Sequence, residues 1–302
     1  MMDAARALDP VRMPRRTALR AALAVGVALA GAGCATSTPV APSAGMAISK
    51  TPLIGKFVWR DLHTDVPDAV KPFYAALLGW EYVESRSLDR PYTIVKSGGQ
   101  PIGGIVQARR KIPDQPNSQW LSYLSVADVD RAVDVTRAAG GSVLLAPIDL
   151  PRVGRGAIVV DPQGAPLGLL RASFGDPADT PQPTLNRFLW TEELARDPAA
   201  AARFYADLVG YDVLVQDEGG KPFRILKSSG RERAGIMRMP FGSMRPIWLA
   251  SVMVADPAAS AARAQALGGR IHVAPRKEIR GGSVALIADP GGAVLALQRW
   301  PS

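Results

Sequence analysis

The chain has 302 residues, 47% hydrophobic and 21% charged, a balance that excludes disordered and fibrous classes and is enough for two ordinary domains with cores of their own. Its formal charge of +9 is inflated by the amino-terminal segment, where Arg6, Arg12, Arg15, Arg16 and Arg20 face only Asp3 and Asp9. The other basic residues are scattered, with no run interleaved with aromatics, so nucleic acid is not an expected partner.

In chain order, the first predicted feature is a targeting segment. Arg15-Arg16 precede an apolar, Ala/Gly-rich run from Ala21 to Gly33 that stops at Cys34, the only cysteine. A positive region followed by a short hydrophobic one is the pattern of a secretory signal, and the run is too short to span a bilayer comfortably. The paired arginines resemble a twin-arginine signal. Leu29 to Cys34 resembles a bacterial lipobox, in which the cysteine is acylated, although Gly31 stands where a leucine is usual. The expectation is a signal over 1–33, a lipidated Cys34 opening a Ser/Thr/Pro/Ala tether over 34–53, and attachment to the cell envelope by acyl chains.

From residue 54 onward the chain is written twice. Phe57, Trp59, Phe73-Tyr74, Gly79 and Gly104-Ile105 recur 131 positions later as Phe188, Trp190, Phe204-Tyr205, Gly210 and Gly235-Ile236 (57 to 188). Trp120, Asp128, Gly140-Gly141, Asp161-Pro162 and Gly164 recur at an offset of 128 (120 to 248), so a single three-residue deletion separates the two registers. This is a tandem duplication. Copy one spans 54–173 and copy two 185–302, joined by a proline-rich linker over 174–184.

Within copy one, Phe57 to Asp61 alternates as a strand does, and Asp68 to Leu78 places Ala69, Phe73, Ala76 and Leu77 on one helical face ended by Gly79. Strands follow at 81–85, 92–97 and 103–108. The order then restarts, with a strand over 120–126, a helix over 129–139 and strands at 142–146, 157–161 and 167–172. Each copy is therefore two βαβββ modules, and the predicted class is α+β with four such modules.

The helix ending Phe-Tyr-x-x-Leu-x-Gly (Phe73 to Gly79; Phe204 to Gly210) and the terminal Asp-Pro-x-Gly turn (Asp161 to Gly164; Asp289 to Gly292) resemble the vicinal-oxygen-chelate superfamily, which includes glyoxalase I, bleomycin-resistance proteins and extradiol dioxygenases. The tandem arrangement resembles its two-domain glyoxalase-like members. The resemblance implies two cup-shaped domains. In metal-using members it also implies a divalent ion held by His, Glu or Gln from fixed strand positions. Here those positions fall on Trp59 and Trp190, Leu121 and Leu249, and Gly168 and Ala296, none of which can ligate a metal. The two histidines, His63 and His272, are not equivalent under the repeat. No metal and no other cofactor is therefore expected.

The candidate site residues come in repeat-related pairs. Asp61 and Glu192 stand two residues beyond Trp59 and Trp190, on the same side of the strand. If that side is the cup, each is a carboxylate beside an indole, suited to general-base work or cation binding. If it is the exposed end, each bonds a helix terminus or Arg60. Arg152 and Arg280 correspond and suit an anionic ligand. Trp59, Trp190, Trp120, Trp248, Tyr123 and Phe57 either line an aromatic cavity or fill a core. The leading expectation is an exported, lipid-anchored protein that binds a small apolar or aromatic molecule without a metal. The alternatives are a glyoxalase-like lyase or isomerase acting on an oxo-compound through Asp61 and Glu192, and a non-catalytic envelope scaffold.

Overall fold

The computed structural model describes residues 46–85, 91–109, 117–180, 182–217, 222–240 and 245–300. The leader, Cys34 and the first part of the tether lie outside them. Copy one runs β1 (Phe57–Thr64), α1 (Pro67–Leu78), β2 (Glu81–Ser85), β3 (Tyr92–Ser97) and β4 (Gln100–Gln107). It continues with β5 (Ser118–Ser125), α2 (Val129–Ala138), β6 (Ser142–Leu150), β7 (Gly154–Val160) and β8 (Pro166–Ala172). Copy two repeats the order as β9 (Phe188–Ala195), α3 (Pro198–Val209), β10 (Asp212–Asp217), β11 (Pro222–Ser228) and β12 (Arg231–Arg238). It closes with β13 (Ile247–Met253), α4 (Pro257–Ala266), β14 (Arg270–Val273), β15 (Val284–Ala288) and β16 (Val294–Gln298).

Each copy makes one eight-stranded mixed sheet, in the orders β2-β3-β4-β1-β5-β8-β7-β6 and β10-β11-β12-β9-β13-β16-β15-β14. The class is α+β, as the residues predict. In each sheet the opening strands of the two modules lie side by side and antiparallel, with Asp61 opposite Leu121 and Glu192 opposite Leu249. The repeated residues explain the elements. Asp128, Asp197 and Asp256 cap α2, α3 and α4 by accepting from backbone N–H groups of the first turn, which those donors need because they have no partner within the helix. Gly79 and Gly210 end α1 and α3 at φ 67° and 75°, a left-handed backbone that costs glycine nothing.

One element is longer than its sequence suggests, and its counterpart is shorter. The sequence pattern ends β6 near Ala146, whereas the strand runs to Leu150, carried past Pro147 by an irregularity in pairing between Leu145 and Ile148. Its repeat, β14, stops at Val273, and the chain from Ala274 to Ser283 leaves the sheet.

The two larger apolar cores cross the copy boundary, and a small third one, around Leu194, Leu249 and Ala296, lies within the second copy. One cluster joins Phe57, Leu124, Val133 and Leu167 of the first copy to Ala201, Tyr205, Leu226 and Trp248 of the second. The other joins Leu62, Phe73, Tyr74 and Trp120 to Val252, Ala264, Ile287 and Leu295. The same polar tie is made in each direction across this seam. Tyr74 donates to Asp289 Oδ2 at 3.1 Å while Trp120 donates to the Tyr74 hydroxyl at 2.9 Å. Tyr205 donates to Asp161 Oδ2 at 3.0 Å while Trp248 donates to the Tyr205 hydroxyl at 2.7 Å. The Oδ1 atoms of both aspartates accept backbone N–H groups of their own turns. The residues that make the Phe-Tyr and Asp-Pro motifs recognisable thus bind the two copies together.

Candidate functional site: two unequal cups

Alternation along β1 puts Trp59, Asp61 and His63 on one face and Arg60 and Leu62 on the other. The first face is the cup. Asp61 is 7% exposed and accepts from Trp59 Nε1 at 2.9 Å and from Tyr92 at 2.8 Å on the same oxygen. Trp59 Nε1 also donates to the Tyr92 hydroxyl at 2.8 Å. Burial raises the Asp61 carboxyl above its usual range, against the opposing pull of His63 and of hydrogen bonds from Tyr92, Trp59 and Tyr123. Burial likewise lowers His63, whose Nε2 has no hydrogen-bond partner. Asp61 therefore lies inside the cup, bonded to the cup's own aromatics rather than to Arg60 or a helix end.

Those aromatics fill the first cup. A Cβ at Gly168 would collide with the Tyr123 ring, and one at Gly104 with the Tyr92 ring, so the two glycines exist to admit the two tyrosines. What remains is a cavity of about 110 Å³ beside Trp59, Asp61, Tyr92 and Tyr123. Leu150, Val153, Leu170 and Ala172 add an apolar side, and the tether and linker supply the cover. Met46, Ile48 and Phe174 to Pro177 line it, and Ile48 pairs with Pro177. Asp176 fixes this cover by accepting from Leu53 N at 2.6 Å and Ser125 Oγ at 2.7 Å. The segments expected to be tether and linker by composition are, over these residues, part of the first cup.

The second cup is open. Its cavity is about 490 Å³, within the range of ligand pockets, whereas the first is below it. One substitution between the copies removes a ring from the second cup, and two more change its lining. Tyr123 corresponds to Ser251, Leu170 to Gln298, and His63 to Leu194; all three copy-two residues line the cavity. Aliphatic walls come from Leu194, Met237, Leu249, Val284 and Leu286. Phe223, the counterpart of Tyr92, fills the space left by Gly235. Glu192 lies in the cup, 7% exposed, and Arg280 Nη2 pairs with its Oε1 at 2.7 Å while the guanidinium sits 5.3 Å above the Phe223 ring centre.

Of the sequence candidates, the structure brings Trp59, Asp61 and Tyr123 together in the first cup, and Glu192 and Arg280 in the second. It does not bring Trp120, Trp248 or Phe57 to either cavity. Trp120 and Trp248 are buried behind the sheets against Tyr74 and Tyr205, and the Phe57 ring packs 4.6 Å from that of Trp248. Their strand parity faces the seam, where an indole N–H finds a phenol. Trp190 is half-buried and lines neither cavity. Arg152 is exposed at the tip of the β6–β7 hairpin, whose Leu150 and Val153, not Arg152, line the first cavity. Sequence reasoning missed Phe223 and Tyr92 as cup residues, and the tether as cover. The differences between copies, rather than their matches, held that signal.

The second cup does not suit the metal that the fold implies. Its register positions are Leu249 and Ala296, with Trp190 outside the cavity, and Glu192 already holds a guanidinium. Among the described residues, no three His, Cys, Asp or Glu side chains converge in a way that could hold an ion.

The glyoxalase-like domain family matches residues 58–170 and again 191–297. The glyoxylase candidate CFP32 of Mycobacterium tuberculosis is 30% identical over 247 residues, covering 79% of this chain and 92% of the relative. The anthracycline biosynthesis protein DauV of a Streptomyces species is 28% identical over 253 residues, covering 79% and 91%. Among solved structures, the Mn(II)-bound glyoxalase of Novosphingobium aromaticivorans superposes with a TM-score of 0.53 at 18% identity, over 82% of both chains. A homoprotocatechuate 2,3-dioxygenase variant of Brevibacterium fuscum gives 0.52 at 16%, over 84% of this chain and 75% of that one. At such identities these structures speak for the fold alone.

Proposed function

Since the chain belongs to the glyoxalase-like domain family, in tandem form, we propose that it binds one small apolar or aromatic molecule per polypeptide, in the second cup and without a metal ion. The observation that carries this reading is the contrast between cups. The same scaffold is filled by Tyr92 and Tyr123 in one copy and left with about 490 Å³ of mostly aliphatic space in the other. Shape and stacking surface suffice for sequestration of this kind. The relatives named for anthracycline biosynthesis are compatible with a flat polycyclic ligand.

The test transplants the plug. Tyr123 lies opposite Gly168 in its ladder, and Ser251 lies opposite Ala296, so Ser251→Tyr with Ala296→Gly rebuilds the closed cup in copy two. Binding of an aromatic probe should vanish in this variant while its thermal midpoint stays near that of the parent. Undiminished binding would place the ligand elsewhere.

A lyase or isomerase reading has one observation in its favour, a buried carboxylate at Glu192 facing the open cavity, together with the glyoxylase label of CFP32. Turnover of an oxo-compound that is abolished by Glu192→Gln would favour it over sequestration.

Export and anchoring belong to the same proposal. The Arg15-Arg16 leader and Cys34 support a protein held at the envelope by acyl chains, with both cups outside the cytoplasm. Cys34→Ser should move the protein from the membrane pellet to the soluble fraction; retention in the pellet would remove the anchor from the account.

A further inference from the structure

The second cup has an arginine, Arg280, built into its wall. Arg280 lies in the tight turn Arg280–Gly282, with backbone φ of 49° followed by 61° at Gly281 and 80° at Gly282. A left-handed backbone is uncommon for arginine. Here hydrogen bonds close the turn at Gly282 N and Ser283 N, the guanidinium rests on Phe223, and Nη2 meets Glu192, so the side chain is held at the cup. Its repeat partner Arg152 has the same backbone, φ 63°, but points its charge at solvent from a hairpin tip.

The rest of the wall leans the same way. Arg224, Arg238, Arg276 and Arg280 line the cavity against Glu192, Asp197 and Glu278. Asp197 is committed to capping α3 through Ala199 N and Ala200 N. Glu192 is committed to Arg280. Arg224 and Arg276 have no ion-pair partner among the described residues.

We infer that the second cup selects anions with an apolar body, such as aromatic or polycyclic carboxylates and sulfonates, and that Arg280 is the residue receiving the anionic group. This rests on the reading of that cup as a binding site and names its ligand class. Glu192 is then a competitor for the guanidinium that the ligand displaces or shares. The two partners of one ion pair should therefore have opposite effects on affinity when removed.

The experiment uses two probes with the same aromatic body, anilinonaphthalene sulfonate and its sulfonate-free counterpart phenylnaphthylamine, titrated by fluorescence into the full chain. Signal lost in the Ser251→Tyr/Ala296→Gly variant is assigned to the cup. The sulfonate should bind about tenfold or more tighter than the neutral probe, the range of one charge-assisted contact. Arg280→Met should remove that advantage, bringing the ratio of the two affinities to about one. Glu192→Gln should raise sulfonate affinity. Because the wild-type comparison needs no substitution, a poorly folded variant does not decide the result. Equal or tighter binding of the neutral probe, or an unchanged ratio in a folded Arg280→Met, would overturn anion selection while leaving the cup a ligand site. Cup binding of neither probe would remove both readings together.

Discussion

At the scale of single residues, the most consequential difference between copies outside the cups is Glu193, which stands where the first copy has Leu62. It is fully buried, and neither carboxylate oxygen has a donor within reach. Burial pushes its carboxyl well above the usual range, and the neighbouring Asp161 carboxylate pushes it further. In its protonated form Glu193 can donate to Asp161, which removes the repulsion. A carboxyl raised in the folded state contributes its full stability below the unfolded value near 4.5. That stability is lost as pH rises toward the folded value. One proton accounts for a slope of at most about 1.4 kcal/mol per pH unit. Asp289, pushed up to about 6 mainly by burial, adds in the same direction. Glu193→Gln keeps a donor for Asp161 and cannot ionise, so it should melt above the parent at pH 8 and alongside it near pH 4. Parallel melting curves across that range would show that Glu193 is not protonated in the fold.

At the scale of elements, the ties from α1 to the β15–β16 turn and from α3 to the β7–β8 turn are equivalent, and each buries a phenol between an indole and a carboxylate. Tyr74→Phe leaves both Trp120 Nε1 and Asp289 Oδ2 short of a partner, so denaturant unfolding should report a loss of about 1–3 kcal/mol. A loss near zero would mean that water replaces the hydroxyl. The elements themselves were legible from the sequence because their caps and periodicities are local: Gly79 and Gly210 mark helix ends wherever they occur. The burial side of Trp120 and Trp248 was not legible. Period-two alternation says that two residues share a face, yet both faces of these sheets are apolar, one toward the seam and one toward the cup. Nor could composition show that Met46 and Ile48 would cover a cavity, since a proline- and serine-rich tether reads the same whether docked or free. The asymmetry of the cups was present in the sequence all along, in Tyr123 against Ser251 and His63 against Leu194. A search for repeats discards such mismatches by design.

At the scale of the whole molecule, duplication has separated two tasks. The matched Tyr, Trp and Asp residues build the ties across the seam, and Tyr123 against Ser251 sets how full each cup is. Because the two larger apolar clusters draw on both copies, the two halves should unfold in one transition, with tryptophan fluorescence and circular dichroism giving the same midpoint. Two separated transitions would contradict a shared core. The cups differ most in what they can hold, and calorimetric titration of the full chain with anilinonaphthalene sulfonate counts their occupants. One molecule should bind per chain, falling to none when Ser251→Tyr and Ala296→Gly close the second cup. Two molecules per chain, or one that persists in the closed variant, would contradict it.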